Sequence, residues 1–285
     1  MKIDYLIATL NSFDPKKNIF QSLKKQSNRN FKIIIVDQGI KNFDFNIIDN
    51  LDFEYHKLDK KGLSNARNYG LKYCTNKFVA FLDDDATVNS DFTSKIIKSC
   101  KLNNSDIICG LILDPILNRP LSRSIKNINS RILNINNYRY FMGSGIVIKL
   151  SLIQKHPFDI QFGAGSKYGS AEETDLFFRL INRNRIFFDS TLVIKHFSDH
   201  QKLNSFSFID SFYRGHSYGL GFGACLKKHY LINKSSYFLN EFCKSTLFFF
   251  IVILFDLFKL NFKLFLRNIG SFSGRIYGFL SFKIK

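Results

Sequence analysis

The segment Phe78-Val79-Ala80-Phe81-Leu82-Asp83-Asp84-Asp85-Ala86 is the most informative one for the fold. Five apolar residues run directly into three carboxylates. An unbroken apolar run of this length is typical of a strand buried on both faces of a parallel sheet. Ligands of open α/β sheets bind at the carboxyl ends of the strands, and hard divalent cations prefer oxygen ligands. The triplet therefore favours a cation site, and an acidic turn with Asp85 capping a helix near Asn89 explains it equally well.

Strands and helices alternate on both sides of this stretch. We expect strands at residues 3–9, 31–37, 53–58, 105–113, 140–149 and 186–196, and helices at residues 13–26, 63–73 and 172–182. Residues 115–137 are polar, rich in Asn and Arg, and are expected to form a loop. The alternation predicts an α/β fold with a mostly parallel, Rossmann-like central sheet flanked by helices.

Composition narrows the class of protein. The chain has 285 residues, of which 45% are hydrophobic, so it can bury a full core and is not a disordered chain. Its five cysteines form no CxxC pair, which argues against a disulfide framework or a zinc site and favours a reducing compartment. The N-terminus enters a strand directly and lacks the apolar segment of a signal peptide, so we expect the folded domain in the cytoplasm.

The last third of the chain is unusually basic and rich in Phe. Residues 200–285 contain 12 Lys and Arg against 3 Asp and Glu, within a formal net charge of +18 for the whole chain. This combination favours an anionic membrane surface as partner, with a solvated basic face as the alternative. We find no nucleic-acid recognition motif, and nucleic acid is therefore not an expected partner.

An apolar run, Leu247 to Phe255, lies within this basic segment. It is shorter than the roughly 20 residues that a spanning helix needs, and the residues after it have an amphipathic pattern. We therefore favour a helix that lies in the membrane interface over one that spans the bilayer. A helix buried against the preceding domain is the third possibility.

Two further segments carry chemistry in the first half of the chain. Asp37 ends the second expected strand, where its carboxylate can accept the ring N–H of a pyrimidine or simply cap a turn. Gly62 opens the helix expected at residues 63–73, and backbone N–H groups at a helix start favour phosphate. Lys60, Lys61 and Arg67 add positive charge there, which strengthens this interpretation.

The second half adds carboxylates and an imidazole. Glu172 and Glu173 begin the expected helix, where one of them can act as a general base or both can complement the helix dipole after a Ser170 cap. His196 ends the last strand and can complete the shell of a metal ion, although a lone histidine is more often structural. His200 is a weaker candidate for the same role.

Taken in order, these pieces resemble the family 2 glycosyltransferases, which have the GT-A fold. The resemblance covers about residues 1–230 and rests on Ala8-Thr9-Leu10-Asn11, Val36-Asp37-Gln38-Gly39, residues 62–70, Leu82-Asp83-Asp84-Asp85, Phe162-Gly163-Ala164-Gly165, residues 169–180 and His196. Each segment is modest alone, but their order and spacing are specific. The resemblance implies a GT-A domain at residues 1–230, followed at residues 231–285 by a basic, Phe-rich helical extension that associates with membranes.

The resemblance also implies roles for individual residues. Donor-binding residues are Thr9, Asp37, Gly62, Arg67, Asp83 and Asp84; the metal ligands are Asp85, Asp83 and His196; and the catalytic base is Glu173, with Glu172 as its alternative. The implied cofactor is Mg²⁺ or Mn²⁺, bridging the diphosphate of the donor. Direct attack by an acceptor hydroxyl would invert the configuration at the anomeric carbon.

Three departures from the family pattern are visible. The aromatic residue of the first strand end is replaced in Ala8-Thr9-Leu10, a usual serine is Ile40, and the base is Glu173 rather than aspartate. The longer glutamate matters because small displacements of a catalytic group are costly.

The expected function is metal-dependent, inverting transfer of a hexosyl group from a nucleoside-diphosphate sugar, UDP- or dTDP-linked, to a hydroxyl of a glycan acceptor. We expect a lipid-linked or surface-polysaccharide acceptor and a peripheral or monotopic position on the cytoplasmic face of the cell membrane. The alternatives are a sugar nucleotidyltransferase, disfavoured because no Gly-rich loop follows the first strand, and a non-catalytic membrane-associated scaffold of the same fold.

Overall fold

A computed structural model describes residues 1–11, 18–122, 125–198, 203–258 and 261–284. The chain packs into two units, one formed by residues 1–158 and 176–197 and the other by residues 159–175 and 198–285. The boundary expected at residue 230, between the N-terminal domain and the helical extension, divides the chain by function rather than by packing and stays a prediction.

The first unit is built on a mixed, mostly parallel sheet, as the alternation of strands and helices predicts. Its strands are β1 (Ile3–Thr9), β2 (Phe31–Asp37), β3 (Phe53–Lys57), β4 (Phe78–Asp83), β5 (Thr87–Val88), β6 (Ile107–Asp114), β7 (Arg119–Pro120), β8 (Arg131–Ile132), β9 (Ile146–Lys149) and β10 (Ile186–Lys195). The order is β3-β2-β1-β4-β9-β6-β10-β5, with β7 on β6 and β8 on β10. The pairs among β1 to β4 are parallel, whereas β9 is antiparallel to β4 and β6.

Helices cover this sheet. They are α1 (Ile19–Lys24), α2 (Leu63–Gly70), α3 (Phe92–Leu102), α4 (Leu150–Lys155) and α5 (Glu172–Leu180), whose first turn belongs to the second unit. Both faces of β1, β2 and β4 are buried, which explains why their sequences are continuous apolar runs. The core includes Tyr5, Phe20, Ile35, Phe92 and Ile194.

Three expected elements differ from those observed. Residues 115–137, expected to form a loop, contain the short strands β7 and β8 and the start of a 3-10 helix. The helix expected at residues 13–26 is described from Ile19, because residues 12–17 lie outside the described part of the chain. The strand expected at residues 140–149 begins only at Ile146. Tyr140 ends a 3-10 helix over residues 135–140, which Asn134 starts with a capping box to Asn137. Residues 141–145 then form a bend and a turn in which Gly145 has a φ of +91°.

Three long helices dominate the second unit: α6 (Phe208–Asn233), α7 (Ser236–Phe258) and α8 (Phe262–Ser281). Glycines set the packing of α6 on α8. A Cβ atom at Gly215 would lie 1.9 Å from the carbonyl oxygen of Arg267, and one at Gly223 would lie 2.1 Å from that of Arg275. The two backbones therefore touch where no side chain fits, and the rising numbers on both helices show that α6 and α8 are parallel.

The apolar run that starts at Leu247 lies inside α7. The segment Ser236–Asp256 is long and apolar enough to cross a membrane, with a mean hydropathy of 1.8 and 11% of its residues buried. Flanking residues thus extend the short run seen in the sequence into a 23-residue helix.

Candidate active site

The acidic triplet follows β4 at one edge of the sheet. Register places Thr9 opposite Asp37 and Ala8 opposite Asp83, so the ends of β1, β2 and β4 lie side by side. The side chains of Asp83 and Asp85 are about one third exposed, at 32% and 34%. Two carboxylates are thus open to a ligand at the edge where the sequence predicts one.

Arg67 contacts the first of these carboxylates. Its guanidinium is buried, and Nη2 donates to Oδ1 of Asp83 at 3.2 Å. The rings of Phe81 and Phe158 lie 5.7 and 5.3 Å from its Cζ atom, within cation–π range. A Cβ atom at Gly143 would lie 3.1 Å from Nη2, so the glycine leaves room for the guanidinium. The sequence pattern indicates Arg67 but not Phe158 or Gly143, because these two residues lie in no motif.

His196 contacts the last carboxylate of the triplet. Its Nε2 lies 2.9 Å from Oδ1 of Asp85, and its side chain is 20% exposed. The short strand β5 explains the contact, since Thr87 pairs with Lys195 in antiparallel register. This pairing brings Asp85, just before β5, close to His196, just after β10. The second histidine candidate, His200, lies outside the described residues.

Asp84, the middle carboxylate, contacts β1. The hydroxyl of Thr9 donates to its Oδ2 at 2.5 Å. Burial raises the pKa of Asp84 to about 6; the hydrogen bond from Thr9 opposes this shift, and the negative charges of Asp85 and Asp83 add to it. The triplet is thus divided, with Asp84 bound to Thr9 and its two neighbours bound to Arg67 and His196.

Asp37 is fully buried and accepts three hydrogen bonds. Its Oδ1 accepts from the backbone N–H of Gly39 at 2.7 Å, and its Oδ2 accepts from the Tyr55 hydroxyl at 2.8 Å and the Lys57 ammonium at 3.0 Å. Burial, followed by the hydrogen bond to Asp37, raises the pKa of Tyr55 to about 12. Tyr55 and Lys57 are two residues apart on β3. Neither is a carboxylate or part of a motif, so the sequence pattern did not indicate them.

Gly62 begins α2 in a conformation that favours glycine. Its φ is +118°, and no side chain caps the helix N-terminus. Gly62 has no side chain that could cap the first backbone N–H groups of α2, which suits the phosphate interpretation of this segment.

Glu172 and Glu173 form the first turn of α5, within the second unit. The preceding Ala171 has a φ of +69°, which turns the chain sharply into the helix. Glu172 is buried, whereas Glu173 is partly exposed. Ser170, the expected cap, donates instead to the carbonyl oxygens of Ser217 and Tyr218 on α6, at 3.3 and 3.2 Å.

A charged cluster within the second unit follows these glutamates. Oδ1 of Asp175 lies 2.6 Å from the ammonium of Lys228 and 3.0 Å from Nε2 of His229. The same ammonium lies 2.8 Å from Oδ2 of Asp159. Asp175, Cys225 and His229 have potential metal-binding atoms within 4.8 Å of one another. Because Lys228 already supplies positive charge to both carboxylates, the cluster functions as a buried ion-pair network.

Comparison with known proteins places this geometry in a family. The model of glycosyl transferase family 2 matches residues 5–174. The putative glycosyltransferase EpsH of Bacillus subtilis (strain 168) is 26% identical over 117 residues, which cover 38% of this chain and 33% of that protein. The cholesterol galactosyltransferase of Borreliella burgdorferi is 25% identical over 114 residues, 38% and 32% of the respective chains. The match spans about a third of the length of these relatives.

Solved structures share the fold. S. aureus TarS 1-349 in complex with UDP is 17% identical with a TM-score of 0.57, and the match covers 99% of this chain and 91% of that one. The mannosyltransferase PcManGT from Pyrobaculum calidifontis, in complex with GDP-Man and Mn²⁺, is 11% identical with a TM-score of 0.61, covering 97% and 87%. The family match extends over more than half of the residues, and the mostly parallel sheet flanked by helices agrees with the predicted fold. The chain therefore belongs to glycosyl transferase family 2 and has the GT-A fold.

Proposed function

We propose that the protein is a metal-dependent, inverting glycosyltransferase that moves a hexosyl group from a nucleoside-diphosphate sugar to an acceptor hydroxyl. One observation carries the proposal. The partly exposed carboxylates of Asp83 and Asp85 lie at one sheet edge, the first bonded to Arg67 and the second to His196. Carboxylates and an imidazole that can hold a counter-ion, beside the guanidinium of Arg67, suit a bound diphosphate.

The residues present fit a divalent cation. Asp85 and His196 already bring a carboxylate oxygen and an imidazole nitrogen within 2.9 Å, and both side chains are partly open. Carboxylate and imidazole ligands suit Mn²⁺, and carboxylates with water suit Mg²⁺. We assign the metal to Asp85 and His196, with Asp83 holding a metal-bound water or the ribose. When bound, the ion neutralises the diphosphate and stabilises the charge of the leaving group.

The nucleotide is held by the ends of the first two strands and by α2. We assign Thr9 and Asp37 to the base and ribose, and the start of α2 at Gly62 to a phosphate. Arg67 completes the donor site, and Asp84 holds Thr9 in place through its 2.5 Å hydrogen bond. A UDP- or dTDP-sugar is the favoured donor. The structural neighbours in complex with UDP-GlcNAc and with GDP-Man support a nucleotide sugar in general.

Proton transfer is assigned to α5. Glu173, partly exposed in the first turn, takes the proton of the acceptor hydroxyl, and Glu172 is the alternative base. The hydroxyl oxygen forms its bond to the anomeric carbon as the bond to the diphosphate breaks, so the configuration at that carbon inverts. A positioned carboxylate typically contributes about 10²–10⁴-fold to such a step.

The acceptor is proposed to be a lipid-linked or surface-polysaccharide glycan at the cytoplasmic face of the membrane. The exposed apolar helix α7 and the basic charge of residues 200–285 support a peripheral or monotopic position there. A relative named for transferring galactose to cholesterol supports a lipid acceptor.

A donor screen tests the proposal. Purified protein is incubated with UDP-, dTDP- and GDP-sugars, with and without Mn²⁺, and release of nucleoside diphosphate is measured. We expect metal-dependent turnover with one donor and its loss in Asp85→Ala. Release of pyrophosphate from a nucleoside triphosphate and a sugar phosphate would identify a nucleotidyltransferase, and donor binding without turnover would identify a scaffold. Either outcome contradicts the proposal.

A further inference from the structure

The start of α6 meets two helix ends that are distant from it in the sequence, at one end of the second unit. Because α6 and α8 are parallel, residues near Phe212 on α6 lie beside Gly270, close to the start of α8. Helix α7 runs antiparallel to α8, since Phe242 stacks on Phe279 at 3.9 Å and Asp256 accepts a hydrogen bond from Asn268 at 2.5 Å. The start of α6, the end of α7 and the start of α8 therefore share this end, which we call the apolar end.

Large apolar side chains are exposed at the apolar end on all three helices. They are Phe208, Ile209 and Tyr213 on α6, Leu254 and Phe255 on α7, and Phe262 on α8. Leu247, Phe248, Phe250 and Ile251 continue this exposed apolar surface along the middle of α7. Phe255 is 62% exposed and Ile209 is 68% exposed. These exposed aromatic and aliphatic side chains form a patch rather than isolated surface residues, and such patches mark interaction sites.

The other face of α7 is packed against α8 along most of its length. Nη1 of Arg275 donates to the carbonyl of Ser245 at 2.8 Å, and its Cζ lies 4.5 Å from the ring of Phe249. The buried hydrogen bond between Asp256 and Asn268 fixes the far end. Moving α7 across a bilayer would carry α8 with it, together with Lys263, Arg267 and Arg275. Charged residues at membrane depth are costly, so this arrangement disfavours a crossing.

Basic side chains border the apolar end. Arg214 is exposed and its guanidinium donates to the Tyr218 hydroxyl at 3.0 Å. Lys263 and Arg267 are partly exposed near the start of α8. Asp210 is an exposed acidic group near the start of α6, and its carboxylate accepts hydrogen bonds from Ser207. Positive charge beside exposed aromatic residues is complementary to the headgroups and outer acyl chains of an anionic bilayer.

We propose that the apolar end inserts into one leaflet of an anionic membrane, with no helix crossing the bilayer. This inference rests on the membrane location given under the proposed function and specifies its surface. Three helices contribute to the contact, rather than the Phe-rich run of α7 alone. The parallel packing of α6 and α8 is what brings Phe208, Ile209 and Tyr213 to the same end as Phe255.

The absence of tryptophan from the chain provides a direct test. Phe255→Trp introduces one fluorophore at the apolar end, and Leu280→Trp, at a 73% exposed position near the opposite end of α8, is its matched control. With vesicles of phosphatidylcholine and phosphatidylglycerol, we expect a blue shift and quenching by shallow brominated lipids for Phe255→Trp only. No response at Phe255→Trp, an equal response in both variants, or stronger quenching by lipids brominated near the bilayer centre would overturn the proposal.

A binding experiment separates this inference from the enzymatic one. In full-length protein, Phe208→Ser with Phe255→Ser should reduce vesicle binding about tenfold or more, whereas Ile232→Ser with Leu280→Ser should leave it unchanged. Donor hydrolysis without vesicles should be equal in all three proteins, because the substitutions lie outside the assigned site. Unchanged vesicle binding in the first variant contradicts the inference. A change from dimer to monomer without any vesicle binding does so too, since a second copy would then cover the apolar end.

Discussion

Nε2 of His196 lies 2.9 Å from Oδ1 of Asp85, although the two residues follow different strands, β10 and β4. The contact depends on β5, the two-residue strand that leaves the acidic triplet and pairs with the end of β10. A turn that only capped a helix would not need this pairing. The relationship is therefore the strongest structural support for reading the triplet as a ligand site.

Removal of Asp85 or His196 should abolish metal-dependent turnover. We expect Asp85→Ala and His196→Ala each to reduce transfer by more than about 100-fold, because even residues that only orient metal ligands cost about 10–100-fold when removed. Initial rates measured across a Mn²⁺ titration check this. Asp91→Ala is the control, since its carboxylate is half exposed and pairs with Lys95 on α3. Full activity of Asp85→Ala at limiting Mn²⁺ would contradict the metal assignment.

A methyl group at position 143 should weaken donor binding. Gly143→Ala places a Cβ atom 3.1 Å from Nη2 of Arg67, so the guanidinium, which is bonded to Asp83, must shift by a few tenths of an ångström. Because the shift weakens a hydrogen bond between charged groups, we expect a rise of up to about tenfold in the KM for the donor. Steady-state kinetics measure it, and an unchanged melting temperature shows that the fold is retained. An unchanged KM would contradict the assignment of Arg67 to the donor site.

The identity of the base can be decided by two isosteric substitutions. Glu173→Gln should lower kcat by about 10²–10⁴-fold and leave donor affinity unchanged, because it removes a proton acceptor without changing shape. Glu172→Gln is the matched comparison on the same turn. Isothermal titration with the donor and initial rates with acceptor distinguish binding from catalysis. The reverse pattern would assign the base to Glu172.

The ion-pair network of the second unit should be a major source of its stability. Lys228→Met leaves the carboxylates of Asp159 and Asp175 without their ammonium partner, and breaking a buried pair in this way costs about 3–5 kcal/mol. That corresponds to a fall of about 6–20 °C in melting temperature. Calorimetry measures it, with Lys244→Met at an exposed position of α7 as the control. Equal melting temperatures in both variants would show that the network contributes little.

Much of the fold follows from local pattern. Continuous apolar runs predicted β1, β2 and β4. The parallel arrangement of these strands follows from the helices that connect them. The prediction was wrong at residues 140–145, which belong to no strand. The Asn134 capping box starts a 3-10 helix that ends at Tyr140, and Gly145 has a positive φ in the turn before Ile146.

From the sequence alone, Asp37 and the triplet at Asp83 are predicted to lie at the same edge of the sheet, because parallel strands point the same way. The partners of these carboxylates depend on the tertiary structure: Tyr55 and Lys57 for Asp37, Arg67 for Asp83 and His196 for Asp85. The apolar end of the helical unit was likewise set by the glycine contacts between α6 and α8. A local pattern specifies which element a residue occupies, whereas strand order and helix register, which depend on distant parts of the chain, specify what it touches.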